Sequence, residues 1–167
     1  MKCKGAVMKT CIIFHSYTGI TRGIARKIQA ACGGDLIEVK PRQKYHKLTA
    51  YTIGSIRARS EEKDPIDPDS IDVTAYDLIV IGTPVWAWKP TPATNAATSV
   101  LKGCEGKRAV IFATCGAQAG DTLAVIRQVL EGKGVIVNGE AVLTRKDCND
   151  SQKVNALIDL VKNAVAT

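Results

Sequence analysis

The chain is short of aromatic residues, with two Phe, two Trp and four Tyr in 167 positions. Surfaces that track nucleic acid interleave bases with aromatic and cationic side chains along a groove, so this scarcity argues against a nucleic-acid partner. No apolar run approaches the roughly 20 residues that cross a bilayer, and the basic start Met1-Lys2-Cys3-Lys4 is not followed by the apolar stretch of a secretory leader. The expectation is a protein that neither spans nor leaves a membrane. The six cysteines, at 3, 11, 32, 104, 115 and 148, form no Cys-x-x-Cys pair. Three sit in or beside apolar segments, where Cys behaves as a small hydrophobe, which suits a reduced, cytoplasmic chain. There is no Gly-x-Ser-x-Gly elbow for a serine hydrolase and no cluster of metal ligands. The sequence also lacks a Gly-x-Gly-x-x-Gly turn after its first apolar run and a Gly-rich loop ending in Lys-Ser/Thr, so a nucleoside triphosphate is not the expected ligand.

What is present is alternation. Short apolar runs rich in β-branched residues occur at Cys11 to Phe14, Leu36 to Val39, Leu78 to Ile81, Ala109 to Phe112 and Val135 to Val137. Helical patterns lie between them at Ile20 to Ala31, Pro92 to Leu101 and Thr122 to Leu130. A last one carries Val154, Leu157, Ile158, Val161 and Val165 on one stripe, with Asp150 or Ser151 as its cap. Strands that are apolar throughout need cover on both faces, which predicts a doubly wound five-stranded parallel sheet in a three-layer α/β/α sandwich. One domain over residues 1–167 suffices, with residues 1–8 read as an N-terminal extension or an upstream start. A helix is expected around Lys47 to Arg59, Asp64-Pro65 and Asp67-Pro68 read as turns, and Asn138-Gly139 as a turn or a bulge within a longer last strand.

The first strand runs into Ser16-Tyr17-Thr18-Gly19-Ile20-Thr21 and then into a helix. The first backbone N–H groups of a helix are unpaired and the helix dipole is positive there, so this junction suits a phosphate. Ser16, Thr18 and Thr21 offer three hydroxyls to the same anion, and Gly19 lets the backbone approach. In an open parallel sheet of order 2-1-3-4-5 the ligand crevice lies beyond the carboxyl ends of the first and third strands. Two further loops reach that edge. Gly82 to Pro92 holds both tryptophans and three of the six prolines, and Thr114 to Gly120 is built largely of small residues with accessible backbone. An isoalloxazine ring needs an aromatic platform, for which Trp86 or Trp88 is available, and a rim of backbone donors, which the third loop can supply.

Taken together, these three loops resemble those of the flavodoxin-like FMN proteins, in their short-chain form, from Thr10 to about Ala164. The resemblance implies FMN as cofactor, with the phosphate at Ser16, Tyr17, Thr18, Gly19, Ile20 and Thr21. It implies that Thr83, Pro84, Val85, Trp86, Ala87, Trp88 and Lys89 border the ring and its N5 edge, and that Thr114, Cys115, Gly116 and Gly120 border its pyrimidine end. The chain departs from the family pattern in being basic, with net charge +7, in carrying Ala117 and Gln118 where a Tyr often stands, and in Ile20 where Asn is common.

The resemblance implies an electron carrier between redox proteins, with no catalytic side chain required. The alternative is an NAD(P)H-dependent FMN or quinone oxidoreductase on the same site, and a third reading is a flavin-free interaction module. Lys40, Arg42, Lys44, Lys47, Arg57 and Arg59 fall between Val39 and Ser60 without a single acid. That run is a solvated face, or else it meets an acidic redox partner or the extra phosphate of NADPH. His15 and Cys115 border the expected crevice; His15 is read as a packed or solvated side chain and Cys115 as a small residue that makes room.

Overall fold

The computed structural model describes residues 8–166, so the reading of an N-terminal extension falls almost wholly outside it. Five strands, β1 (Thr10–Phe14), β2 (Asp35–Glu38), β3 (Leu78–Trp86), β4 (Arg108–Cys115) and β5 (Ile136–Thr144), form a parallel sheet in the order 2-1-3-4-5. Helices α1 (Ile20–Cys32) and α5 (Ser151–Ala166) cover one face, and α3 (Pro92–Ser99) and α4 (Thr122–Gly132) cover the other. The sandwich follows from strand alternation. Cys11, Ile13, Ile79, Ile81, Ala109 and Ile111 point into the core under α3 and α4, while Ile12, Phe14, Leu78, Val80, Val110 and Phe112 point toward α1 and α5. Each fully buried Ile, Leu or Phe stabilises the fold by roughly 1.5–3 kcal/mol, so both layers are anchored on the same five strands.

Two strands are longer than their apolar runs. β3 continues through Gly82 to Trp86 and returns as a short antiparallel partner at Lys89–Pro90, so the expected second loop is a hairpin. Gly82 allows this because the Phe112 ring covers it, leaving only 2.3 Å to where a Cβ would stand. β5 runs to Thr144 because Asn138 is bulged out between Val137 and Gly139, after which Ala141, Val142, Leu143 and Thr144 stay in register with Phe112 to Cys115. Asp150 takes the capping role for α5, its carboxylate accepting from the Gln152 amide at 2.9 Å.

Residues 47–59 form a helical segment, α2, in which the turn at Ala50–Gly54 is of the wide π type. An ion-pair network seats it. Arg57 Nη1 reaches the buried Asp64 at 2.5 Å, Arg57 Nε reaches Glu62 at 2.7 Å, and the Tyr45 hydroxyl donates to Asp64 at 2.9 Å. Burial and the Asp64 carboxylate push the Tyr45 hydroxyl up to about 12, so it remains a donor throughout the physiological range.

Candidate functional site

β1 ends in His15, whose backbone amide donates to Gly82 O at 3.1 Å and whose Nδ1 lies 2.9 Å from Val39 O. The ring therefore ties the ends of β1 and β2 together. Burial lowers its pKa and favours the neutral imidazole. The chain then turns into α1 through Gly19, at φ 94°, a conformation that glycine adopts without strain.

The three hydroxyls expected to meet one anion have separate tasks. Ser16 Oγ accepts from the amides of Gly19 and Arg22, each at 3.2 Å, and so caps α1 from outside. Thr21 Oγ1 is buried and shares a 2.8 Å hydrogen bond with Thr114 Oγ1, tying the first loop to the third. Thr18 alone is exposed. The amides of Thr18, Ile20 and Thr21 take no hydrogen-bond partner among the described residues. These neutral donors at the positive end of α1 suit an anion. Arg22 is not free to join them, because Glu38 holds its guanidinium through Nε and through Nη2 at 2.5 Å. That same contact keeps the Glu38 carboxyl below the ordinary carboxylate range.

A crevice of about 300 Å³ opens at this edge of the sheet. Tyr17, Thr18, Ile20 and Thr21 line it from the first loop, Pro84, Val85, Trp86 and Ala87 from the hairpin, and Thr114, Cys115 and Gly116 from the third loop. The two tryptophans diverge. Trp86 lies in the wall, its ring in edge contact with Tyr45 at 5.3 Å, Tyr17 at 5.6 Å and His15 at 6.3 Å between centroids. Trp88 is 57% exposed and borders an adjoining depression of about 380 Å³ with Val85, Ala87 and residues 115–118. The turn between them places Ala87 at φ 50° and Trp88 at φ 64°, left-handed values that β-hairpins require but that non-glycine residues adopt at a cost.

The remaining residues expected at the site lie behind it. Thr83 is fully buried, donating to Pro84 O and accepting from Thr94. Lys89 spans Glu61 at 2.8 Å and Asp121 at 3.2 Å. Gly120 packs under Trp88, where a Cβ would stand 2.3 Å from the Trp88 Cβ. With the Asp121 amide donating to Trp88 O at 3.0 Å, these contacts fasten the hairpin tip to the start of α4. Cys115 faces the crevice, but burial and the nearby Asp147 raise its pKa, so it stays a protonated thiol.

Four lining residues were not expected: Ala50, Tyr51 and Ser55 from α2, and Arg145 just after β5. The spacing of Ala50, Gly54 and Ala58, small residues every fourth position, is the signal that α2 packs closely on something. Trp86 is that neighbour, 2.7 Å from the Cβ position of Gly54. Arg145 becomes legible once β5 is carried to Thr144 opposite Cys115. Among the described residues it is the only Lys, Arg, Asp or Glu lining the crevice.

Fold and crevice together define a doubly wound protein with a mononucleotide-sized cleft at its topological switch point. The sequence matches the profile of the flavodoxin family over residues 9–146, and the chain belongs to that family. Among solved structures it is similar to a candidate flavoprotein from Bacteroides uniformis, at 20% identity and TM-score 0.76, covering 93% of this chain and 98% of that one. It is also similar to a flavoprotein in complex with FMN from Lactobacillus acidophilus, at 24% identity and TM-score 0.70, covering 90% and 98%. An NADH:FMN oxidoreductase in its apo form aligns at 16% identity and TM-score 0.64, covering 95% and 89%. No curated protein matches the sequence.

Proposed function

We propose that this protein binds FMN in the crevice and works as an electron carrier between redox partners. The observation that carries the reading is the convergence, on one cleft, of unpartnered helix-terminal amides, an indole wall and a third loop with accessible backbone. An anion fits the amides of Thr18, Ile20 and Thr21, with the dipole of α1 adding positive potential. Trp86, Pro84 and Val85 supply the apolar wall that excludes water from a flat ring, and Cys115 and Gly116 form the opposite rim. Bound FMN supplies one- and two-electron redox chemistry, and the protein's part is to hold and tune it. Arg145 brings positive charge to a lining that contains no carboxylate among the described residues. Titrating the purified protein with FMN and following flavin fluorescence tests this reading. Quenching that saturates at one equivalent, and that weakens in a Trp86→Ala variant, is expected; a flavin signal that never changes refutes it.

A second reading, an NAD(P)H-dependent FMN or quinone oxidoreductase, draws support from the depression beside Trp88 and Gln118. It opens next to the crevice and is large enough for a second flat ring. Mixing FMN-loaded protein with NADPH under anaerobic conditions separates the two. The carrier reading expects the flavin absorbance to persist, and rapid bleaching establishes the reductase in its place.

A further inference from the structure

The packing of α2 is inverted relative to an ordinary surface helix. Its inner positions are small, with Ala50, Gly54 and Ala58 buried, while its large apolar residues face water: Leu48 is 84% exposed, Tyr51 78%, Ile56 66% and Ile53 52%. Helices of this kind normally bury their large apolar stripe, and a cluster left outside marks a contact surface. The fold explains the inner face, because Trp86 leaves no room at Gly54 for a side chain. It gives no reason for the outer one.

Charge identifies what the outer face would meet. Lys40, Lys44, Lys47, Arg59 and Lys63 have no carboxylate within ion-pair distance among the described residues. Most nearby acids are already engaged, Glu61 by Lys89, Glu62 and Asp64 by Arg57, Asp69 by Arg42 and Glu38 by Arg22, which leaves Asp67, opposite Lys40, outside any ion pair among the described residues. A second copy of this chain, also carrying +7, would set these cations against their own kind. Tyr51 belongs both to this face and to the crevice wall, so a protein seated here lies against the cofactor cleft.

We propose that the outer face of α2, centred on Leu48, Tyr51 and Ile56 and flanked by Lys44, Lys47 and Arg59, is the docking surface for an acidic redox protein. The proposal rests on the FMN reading and names the partner of that site. Redox encounters of this type are small and steered by opposite charge, which suits an apolar centre in a cationic field. Each encounter moves one electron and no atoms: the partner's one-electron redox centre is oxidised as the flavin is reduced by one, any proton the flavin gains coming from water.

The test uses the FMN-loaded chain and a reduced, acidic [2Fe–2S] ferredoxin in anaerobic stopped flow. The second-order rate constant is expected to fall at least about tenfold as ionic strength rises from about 20 mM to about 300 mM. At the low salt, Lys47→Glu/Arg59→Glu and Leu48→Ser/Ile56→Ser should each slow it by about tenfold while leaving FMN affinity unchanged. Rates indifferent to salt and to both double variants overturn the surface, as does faster exchange with basic cytochrome c. In a separate arm, oxidised ferredoxin is titrated into labelled protein and amide shifts are followed. Shifts centred on residues 44–59 and the adjoining crevice wall support the surface whether or not flavin is bound; shifts centred on another face, self-association, or the same perturbation by anionic phosphatidylserine vesicles overturn it. Failure to bind FMN at all would instead refute the functional reading on which the electron transfer depends.

Discussion

Replacing Gly54 by Ala probes the contact that shapes the crevice wall. Gly54 has helical backbone angles, φ −60° and ψ −41°, so the backbone accepts a side chain there. On helix propensity alone the substitution should stabilise by up to about 1 kcal/mol. The new Cβ, however, would stand 2.7 Å from Trp86 Cζ3 and 3.1 Å from Cε3, whereas ordinary contact begins at 3.4 Å. Helix and indole must separate by roughly 0.7 Å, and overpacking of that kind typically costs about 1–3 kcal/mol. The net expectation is a loss of up to about 2 kcal/mol. Either route of relief disturbs the cleft. If the indole yields, the wall shifts, since Tyr45 and Tyr17 already hold its edges; if α2 yields, Ala50, Tyr51 and Ser55 withdraw. FMN affinity should therefore fall about tenfold, equivalent to about 1.4 kcal/mol. Gly23→Ala is the control: it is also helical, but nothing lies within 4 Å of its Cβ position, so it should only stabilise. Urea unfolding and flavin-fluorescence titration of both variants give the two readouts. If Gly54→Ala is as stabilising as Gly23→Ala and binds FMN as tightly as the natural chain, the seating of Trp86 on α2 is wrong.

Three other outcomes are expected. Arg145→Glu reverses the one Lys, Arg, Asp or Glu charge that lines the crevice among the described residues. It should lower the midpoint potential of the second flavin electron by roughly 50–100 mV, for an interaction change on the order of 1–2 kcal/mol, measurable by anaerobic redox titration; an unchanged or raised potential would place Arg145 away from the ring. The fold holds His15 below its free value of 6.5, so the unfolded chain takes up the proton first and stability falls as pH drops below that value while being fully present above it. Melting temperatures between about pH 7.5 and about pH 5.5 should decline in the natural chain and less steeply in His15→Gln. Glu38, held low by Arg22, acts in a separate window: its contribution is present above the free value of 4.5 and disappears as pH falls through the depressed value, so an Arg22→Gln variant should be less stable than the natural chain above about pH 4.5, with the deficit closing as pH falls below it, in urea unfolding followed by circular dichroism.

The sheet was legible because its signal is redundant. Each of β1, β3 and β4 is buried on both faces, so its apolar run stands out however its neighbours behave, and the helices between show one wet and one dry side. Strand ends were harder. Gly82 to Trp86 looks like a loop because Gly and Pro punctuate it; it stays extended because Phe112 fills the space a side chain would take at Gly82 and because the return strand at Lys89–Pro90 pairs with it. The length of β5 depended on Asn138 bulging out, which restores register and lets Val142 to Thr144 follow β4 to the crevice. Asn138-Gly139 pointed to a turn or a bulge within a longer strand; the bulge is what forms, and the choice between the two rests on the partner strand whose register it restores.

The cleft divides along the same line. Loops that directly continue β1 and β4 could be placed from sequence because strand direction alone brings them to the switch point. α2 could not, because its place is set by long-range partners: the Arg57 to Asp64 ion pair, the Tyr45 hydroxyl bridging to the same carboxylate, and the indole at Gly54. The two contacts to Asp64 have no local signature, the third has only the small-residue spacing of Ala50, Gly54 and Ala58, which does not name its partner, and the outward-facing Leu48 and Ile56 follow a periodicity that ordinarily marks a core. The hydroxyl-rich loop shows the opposite failure. Its composition pointed to an anion, but the hydroxyls of Ser16 and Thr21 also build the loop, and what faces the crevice unengaged is the Thr18 side chain and the backbone amides. Side-chain identity at such a site therefore reports in part how the turn is held, and amides that any residue supplies are available to an anion. That is why Ile20 can stand where the family often has Asn: its amide remains free, and its side chain lines the cleft.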